Sequence, residues 1–210
     1  MMYINQIHTS ASQIRLEKLI KERLKPDADR EKIDAQIWDL FGEVWAIMFT
    51  DLCGFSRGVE RFGIIHFLQL IYESERLFVP CIDEYDGIVI KSEGDSLMVV
   101  FRLVNKALDC AIAMQKAAQA YNQDKTDEEK ILLSIGLGYG RILKIGDADI
   151  FGAEVNAASK LGEDIGKAWE ILATVAVTEQ IKKRSNIQLE LLSTVTPGTS
   201  QAFKIIYQMN

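Results

Sequence analysis

An apolar run that ends at an acidic residue is the feature that most constrains how this chain of 210 residues can fold. Residues 44–49 have the sequence VWAIMF, which lacks the polar residues at alternate positions that mark a half-exposed strand. Continuous apolar runs of this length are typical of strands that are buried on both faces. Asp51 follows directly after Thr50, so we predict that a buried strand presents a carboxylate at its end.

Helical and strand-like periodicities alternate along the rest of the chain. The predicted helices are two within 10–41, then 59–80, 103–121, 153–164 and 177–182. The predicted strands are 44–49, 88–91, 96–101, 131–140, 141–146, 171–174, 187–192 and 203–208. This order predicts an α+β fold in which helices cross one mainly antiparallel sheet. A ferredoxin-like β-α-β-β-α-β core fits residues 44–139.

Single residues predict where some of these elements begin, end or pair. Asp27 is predicted to cap the second N-terminal helix, and Pro80 to lie near the end of the helix that follows. Segment 141–146 is predicted to pair with 131–140. The alternate glycines of 131–140 precede no phosphate-binding loop, so we predict that they serve backbone packing or bending.

Composition and charge exclude several classes of function. The 24 Lys and Arg against 30 Asp and Glu give a net charge of −6, with no basic stretch of the kind that binds nucleic acid. No run of about 18 apolar residues predicts a membrane span, and the first ten residues do not resemble a signal peptide. Cys53, Cys81 and Cys110 lack metal-ligand spacing and predict reduced thiols in a cytoplasmic protein.

Asp51 and Asp95 are the residues best suited to bind a metal ion. Asp51 ends a buried strand, and Asp95 lies at the tip of the hairpin predicted within KSEGDSL (91–97). Two neighbouring carboxylates repel each other, which favours protonation of one of them unless a cation lies between them. Oxygen-only ligands favour Mg²⁺ or Mn²⁺. Either aspartate alone could instead be an ordinary turn or cap residue.

Three segments together resemble one family. FTDLCGFS (49–56) resembles the first metal motif of the class III adenylyl and guanylyl cyclases, and KSEGDSLMVVF (91–101) resembles the second. DIFGAEVNAASKL (149–161) is similar to the motif that this family places against the nucleotide. The resemblance covers about residues 43–208 and implies a class III cyclase-like fold.

The resemblance implies a metal site and a loop that contacts the nucleotide. Asp51 and Asp95 would bind two divalent cations, Mg²⁺ or Mn²⁺, and the backbone carbonyl of Leu52 would be a further ligand. The nucleotide contacts implied for the loop that follows are Gly54, Phe55 and Ser56.

The resemblance also implies how the base, the ribose and the phosphate are recognised. Lys91 and Asp149 match the two base-recognising positions. A lysine can donate to a ring nitrogen and an aspartate can accept from an exocyclic amine, a combination that suits adenine. Asn156 matches the asparagine that orients the ribose, and Lys160 stands where the family has an arginine that contacts the phosphate in the transition state.

The implied function is that of a phosphorus–oxygen lyase that converts ATP to 3′,5′-cyclic AMP and pyrophosphate. In the family, one subunit supplies the metal carboxylates and the other supplies the base-recognising and transition-state residues. This chain has both sets, so we expect a homodimer with two equivalent shared sites and an inactive monomer. We predict a catalytic domain at 43–210 and an N-terminal helical extension at 1–42. The extension either enlarges the dimer interface, passes a signal from a partner or covers an edge of the core.

Three departures from the family pattern leave other functions open. Lys160 replaces arginine, the segment between Gly140 and Asp149 is short, and 194–204 has no matching triphosphate lysine, a role that Arg141 or Lys144 could take. One alternative is a cyclase for GTP or for a pyrimidine triphosphate, as in some bacterial antiphage systems. The other is a degenerate domain that binds a nucleotide or a partner without turnover.

Overall fold

The computed structural model describes residues 10–54, 62–193 and 201–208. Its helices are α1 (Ala11–Arg23), α2 (Arg30–Phe41), α3 (Ile64–Glu84), α4 (Val104–Tyr121), α5 (Ala153–Ser159) and α6 (Val175–Ile181). Its strands are β1 (Gly42–Leu52), β2 (Ile88–Glu93), β3 (Ser96–Phe101), β4 (Leu133–Ile145), β5 (Asp149–Phe151), β6 (Ile171–Thr174), β7 (Ile187–Leu191) and β8 (Ala202–Tyr207). A 3₁₀ turn follows α4 (Asn122–Asp124), and a π-helical turn follows α5 (Lys160–Ile165). In the described ranges no helix combines the length and apolar character needed to cross a bilayer.

One sheet organises these elements in the strand order β2-β3-β1-β4-β6-β8-β7, with β5 paired to the outer part of β4. The pair β4–β6 is parallel, and the other paired strands are antiparallel. The first four strands have the neighbours β4-β1-β3-β2, which is the ferredoxin-like arrangement. The predicted α+β fold with a ferredoxin-like core and a mainly antiparallel sheet is therefore confirmed.

β1 lies between β3 and β4, at the centre of the ferredoxin-like core. Its side chains enter two apolar clusters on opposite faces of the sheet, as expected from period-two alternation. Ala46 and Met48 pack with buried residues of α3 and α4, whereas Ile47 and Phe49 pack with buried residues of α5. Burial on both faces is confirmed for this strand, although Val44 near its start is 48% exposed.

β4 runs without a break through segments 131–140 and 141–146, which were predicted to be two separate strands. Residues Leu133 to Leu143 each oppose a residue of β1, so 141–146 does not fold back on 131–140, and that prediction is wrong. The chain reverses at Gly146, which has a φ of 58°, and β5 is the strand that pairs with the end of β4. Continuous pairing with β1 holds β4 straight past its glycines.

The alternate glycines of β4 allow α5 to lie directly on the sheet. A Cβ added at Gly136 would lie 2.0 Å from the carbonyl oxygen of Ala158, and one at Gly138 would lie 2.5 Å from that of Glu154. Side chains at these positions would therefore push α5 away from the strand. The predicted packing role of these glycines is confirmed, and this packing sets the position of α5.

The predicted start of α2 and the predicted end of α3 were wrong by a few residues. Asp29 caps α2, since its side chain accepts a hydrogen bond from the backbone N–H of Lys32, while Asp27 lies within the preceding turn. Pro80 lies inside α3, which continues to Glu84. The proline ring is exposed, and the helix continues for four residues beyond it.

The N-terminal helices pack together against the far end of β4. Leu19 of α1 and Ile33 and Ile37 of α2 form a small apolar cluster with Ile145. An ion pair joins α1 to α2, and a stacking contact joins α2 to β4. Arg23 donates to both carboxylate oxygens of Asp34 at 2.5 and 3.0 Å, and the guanidinium of Arg141 stacks over the Trp38 ring at 4.5 Å.

Candidate active site

Asp51 lies where β1 and β3 separate. The backbone pairing of these strands ends at Phe49 and Met98, and the next link is the Thr50 hydroxyl, which accepts a 3.0 Å hydrogen bond from Leu97 N. On the other side, β1 continues to pair with β4 as far as Leu52. Asp51 is thus held by one neighbouring strand while its half-buried side chain lies beside the gap left by the other.

Asp95 lies in the tight turn that joins β2 to β3. Glu93 pairs with Ser96, so the turn consists of Gly94 and Asp95, and the φ of 61° at Gly94 suits glycine. Asp95 is half-buried, and its predicted place at the hairpin tip is confirmed. The structure brings this tip to the end of β1, next to Asp51.

Asp51 lies within electrostatic range of three other carboxylates. Burial raises the pKa of Asp51 to about 7, and the charges of Asp95, Glu163 and Asp164 add to that rise. Burial also raises the pKa of Asp95, and the charge of Glu163 contributes. A hard cation would remove this penalty, so the oxygen donors fit a divalent metal such as Mg²⁺ or Mn²⁺. Within the described residues, no three His, Cys, Asp or Glu side chains form a ready-made metal cluster, so further oxygen ligands would be needed.

The loop after β1 is described only at its start. Leu52 is buried and ends the strand, and Cys53 N donates a 2.7 Å hydrogen bond to Leu132 O. Gly54 is exposed, with a φ of 89° that permits the sharp turn predicted there. Phe55 and Ser56, the other predicted nucleotide contacts of this loop, lie outside the described residues.

Lys91 and Asp149 form an ion pair within the chain. Lys91 Nζ donates to Asp149 Oδ2 at 2.6 Å, and Asp149 Oδ1 accepts a hydrogen bond from Ile150 N at 2.8 Å. A bulge between Val89 and Lys91 shifts the register of β2 and re-aims the side chains that follow. The hydrogen bond to Asp149 raises the pKa of Lys91, so the ammonium stays charged. The structure thus brings the two predicted base-recognising residues together.

Asn156 and Lys160 lie on and just after α5. Asn156 is exposed near the middle of the helix, and Lys160 is the first residue of the π-helical turn. Their positions depend on glycines, because a Cβ at Gly162 would lie 2.8 Å from the carbonyl oxygen of Phe49 in β1. The predicted helix over 153–164 is therefore correct only to Ser159, where the helical geometry widens.

The cations considered for the triphosphate have partners within the chain. Arg141 stacks on Trp38, and Lys144 Nζ donates to the carbonyl oxygen of Gly146 at 2.5 Å. Lys204, the lysine at the end of 194–204, has its Nζ 2.8 Å from Glu170 Oε1. A phosphate would have to share each of these side chains with its present partner or displace that partner.

Sequence reasoning assigned no role to Glu163, which lies within the predicted helix over 153–164. The residue is exposed, and its carboxylate accepts a 2.7 Å hydrogen bond from Ser96 Oγ and another from Ser159 Oγ. The spacing of Ser159 and Glu163 is a signal that could have been used. The contact with Ser96, 67 residues away in sequence, follows only from the fold.

Comparison with known proteins agrees with this geometry. The family described as the adenylate and guanylate cyclase catalytic domain matches residues 41–201. A Rhizobium meliloti protein provisionally named adenylate cyclase 3 is 30% identical over 142 residues, which are 68% of this chain and 24% of that protein. An adenylate cyclase of Anabaena cylindrica is 28% identical over 178 residues, with 76% of this chain and 35% of the relative covered. The chain thus spans about a quarter to a third of the length of these relatives.

Solved structures share the fold. The adenylate/guanylate cyclase/hydrolase from Silicibacter pomeroyi has a TM-score of 0.67 and 27% identity, and the match covers 78% of this chain and 95% of that one. The adenylyl cyclase CyaB from P. aeruginosa has a TM-score of 0.66 and 23% identity over 80% of this chain and 95% of that one. Since the family match spans residues 41–201, which contain β1 to β7 and α3 to α6, the chain belongs to the adenylate and guanylate cyclase catalytic domain family.

Proposed function

We propose that this protein cyclises a nucleoside triphosphate, and that its substrate is ATP, which it converts to 3′,5′-cyclic AMP and pyrophosphate. The observation that supports this most directly is the position of Asp95 at the hairpin tip beside the end of β1, where Asp51 lies, because a cation there would offset the charge of both carboxylates. The family supports cyclase chemistry, and the relatives named as adenylate cyclases favour ATP.

In the proposed reaction, the ribose 3′-oxygen forms a bond to the α-phosphorus. The bond from that phosphorus to the oxygen bridging to the β-phosphate breaks, pyrophosphate leaves, and the hydroxyl proton passes to solvent. Asp51, Asp95 and the carbonyl of Leu52 would hold two divalent cations, Mg²⁺ or Mn²⁺. Such cations, when bound, lower the pKa of the attacking hydroxyl and offset phosphate charge.

The remaining site residues are proposed to bind and orient the substrate. Lys91 and Asp149 would recognise the edge of the adenine, each exchanging part of its present ion pair for a hydrogen bond to the base. Asn156 would orient the ribose, and Lys160 would offset negative charge on the phosphate in the transition state. Gly54, Phe55 and Ser56, in the loop after β1, would contact the nucleotide.

We propose that each site is shared between two copies of the chain arranged head to tail. One copy would supply Asp51 and Asp95, and the other would supply Lys91, Asp149 and the residues of α5.

The catalytic domain would comprise 43–210, with 1–42 as a helical extension. The cytoplasmic location stays a prediction that rests on three free cysteines.

A second candidate function is cyclisation of another nucleotide, either GTP or a pyrimidine triphosphate. The observation that favours it is the ion pair itself. Lys91 and Asp149 already satisfy each other at 2.6 Å, so their presence does not by itself select adenine. A domain that binds nucleotide without turnover is a third outcome, motivated by Lys160 in place of arginine.

One panel of substrates tests these functions. The purified protein is incubated with Mn²⁺ and each of ATP, GTP, CTP and UTP, and cyclic products are identified by mass spectrometry. Cyclic AMP as the main product supports the proposal, and a main product from another nucleotide favours the second candidate. Absence of product from all four contradicts both.

Two aspartate variants provide the control for this panel. Asp51→Ala should abolish product formation, whereas Asp39→Ala, at an exposed position on α2, should retain it. Activity retained in Asp51→Ala would reject the metal assignment. Circular dichroism and size-exclusion chromatography confirm that both variants are folded.

A further inference from the structure

Glu163 joins two segments to which the proposed function gives different roles. Its carboxylate accepts hydrogen bonds from the hydroxyls of Ser96 and Ser159, the former at 2.7 Å. Ser96 follows Asp95 directly, and Ser159 directly precedes Lys160. One carboxylate therefore ties the hairpin that presents a metal ligand to the helix that presents the phosphate-contacting lysine.

The backbone that presents Glu163 is fixed, although its side chain is exposed. The π-helical turn places Gly162 against β1, where an added Cβ would lie 2.8 Å from Phe49 O. The buried hydroxyl of Ser134 donates a 2.5 Å hydrogen bond to Gly162 O. Single π-helical turns are often found at functional sites, where they shift the residues that follow. The core thus holds Glu163 in place between the two serines.

We infer that Glu163 is a positioning residue that couples the two active sites of the dimer. This inference rests on the proposed function, in which Asp95 of one copy belongs to one site and Lys160 of the same copy belongs to the other. A shift of the hairpin when metal binds would reach Ser159, and with it α5, through the Glu163 carboxylate. Each copy would then transmit the state of one site to the other.

The first test measures Mn²⁺ affinity, by electron paramagnetic resonance of the nucleotide-free protein. Glu163→Ala should weaken binding by about tenfold, as for other residues that orient metal ligands. Ser159→Ala should also weaken it, although Ser159 lies outside both metal motifs, and should add nothing in the Glu163→Ala background. Glu163→Gln, which keeps an acceptor oxygen, should recover part of the loss. Glu179→Ala, an exposed glutamate on α6, is the control.

The second test uses mixed dimers with one working site. Asp51→Ala chains combined with Asn156→Ala chains leave one site, with its metal ligands from the second chain and its α5 residues from the first. Glu163→Ala should lower turnover at this site when it is placed in either chain. When it is placed in the chain that supplies the metal ligands, it should also raise the Mn²⁺ concentration needed for half-maximal turnover. An effect from that chain alone would overturn the coupling.

Failure of the inference is distinct from failure of the proposed function. Normal turnover with unchanged Mn²⁺ affinity in Glu163→Ala and Ser159→Ala would overturn the inference and leave the function standing. No turnover in the unmodified protein would reject the function. The Mn²⁺ affinities would then still decide whether Glu163 positions the hairpin, because that measurement requires no reaction.

Discussion

Lys91 and Asp149 form an ion pair of 2.6 Å between residues that lie 58 positions apart in sequence. The bulge in β2 and the turn between β4 and β5 bring them together. Their side chains are 30% and 25% exposed, so solvent screens the pair and its contribution to folding is about 0–1 kcal/mol. The pair therefore adds little to stability, so its proposed role in base recognition can be tested without unfolding the protein.

Replacing Lys91 by glutamine should reduce activity with ATP far more than stability. The variant loses a charged donor to the base and leaves Asp149 without its cation. A charge-assisted hydrogen bond contributes about 1.5–3 kcal/mol, so kcat/KM for ATP should fall by about 10- to 100-fold. Steady-state kinetics with ATP and GTP measure the fall and any change in preference.

A matched surface pair provides the control for the Lys91 variant. Lys106 forms an ion pair with Asp86 near the start of α4. Lys106→Gln should leave kcat/KM unchanged and should alter the free energy of unfolding by about 1 kcal/mol at most. Equal kinetic losses in the two variants would contradict a role for Lys91 in base recognition.

Asp51 should make the stability of the metal-free protein depend on pH. Its pKa of about 7 lies above the ordinary aspartate value of about 3.9, so its ionisation destabilises the folded state as pH rises through this window. Asp51→Asn cannot ionise. In a chelator, the variant should exceed the original protein in Tm by a margin that grows from pH 5 to pH 8.

Thermal unfolding at both pH values measures this effect, and a Mn²⁺ titration completes it. At pH 8, Mn²⁺ should raise the Tm of the original protein and leave that of Asp51→Asn nearly unchanged, because binding to the folded state stabilises it. A Tm difference between variant and original that is the same at pH 5 and pH 8 would contradict the elevated pKa.

Much of the fold could be predicted because its signals are local. The apolar run 44–49 and the hairpin around Asp95 predict their elements correctly. The errors occur where tertiary contacts override local patterns. Pairing with β1 continues along β4 as far as Leu143, and Pro80 lies at an exposed position inside α3.

The candidate site could be predicted only in its parts. Sequence motifs pointed to Asp51, Asp95, Lys91 and Asp149, but periodicity does not predict which of these side chains contact one another in the fold. The ion pair of Lys91 depends on a bulge, and the contacts of Glu163 depend on a widened helical turn. Both features depend on packing and hydrogen bonding between distant segments, and such contacts leave no periodic pattern in the sequence.

Gly136→Ala should destabilise the protein because α5 lies too close to β4 to admit a methyl group. The added Cβ would meet the backbone of Ala158 at 2.0 Å, and neither the strand nor the helix can move cheaply. Overpacking of this kind costs about 3 kcal/mol. Activity should fall as well, since Asn156 and Lys160 would move with the helix.

Gly140→Ala is the matched control, measured by denaturant unfolding alongside Gly136→Ala. There the nearest atom is Glu154 Cγ at 3.0 Å, so a shift of that side chain by a few tenths of an ångström makes room for the methyl group. The expected loss is about 1 kcal/mol or less. Similar losses in the two variants would show that close approach of α5 to the glycine stripe is not required.

The shared site is tested by mixing two inactive variants. In a head-to-tail dimer, Asp51→Ala and Asn156→Ala chains each damage both sites of their own homodimer. A mixed dimer has one site with both changes and one with neither, so one of its two sites works. Random exchange makes half of the dimers mixed, and activity should return to about a quarter of the original level. Product formation is followed after the variants are combined, with each variant alone as the control. If the mixture stays as inactive as its components although exchange is shown by differently tagged chains, the site lies within one chain.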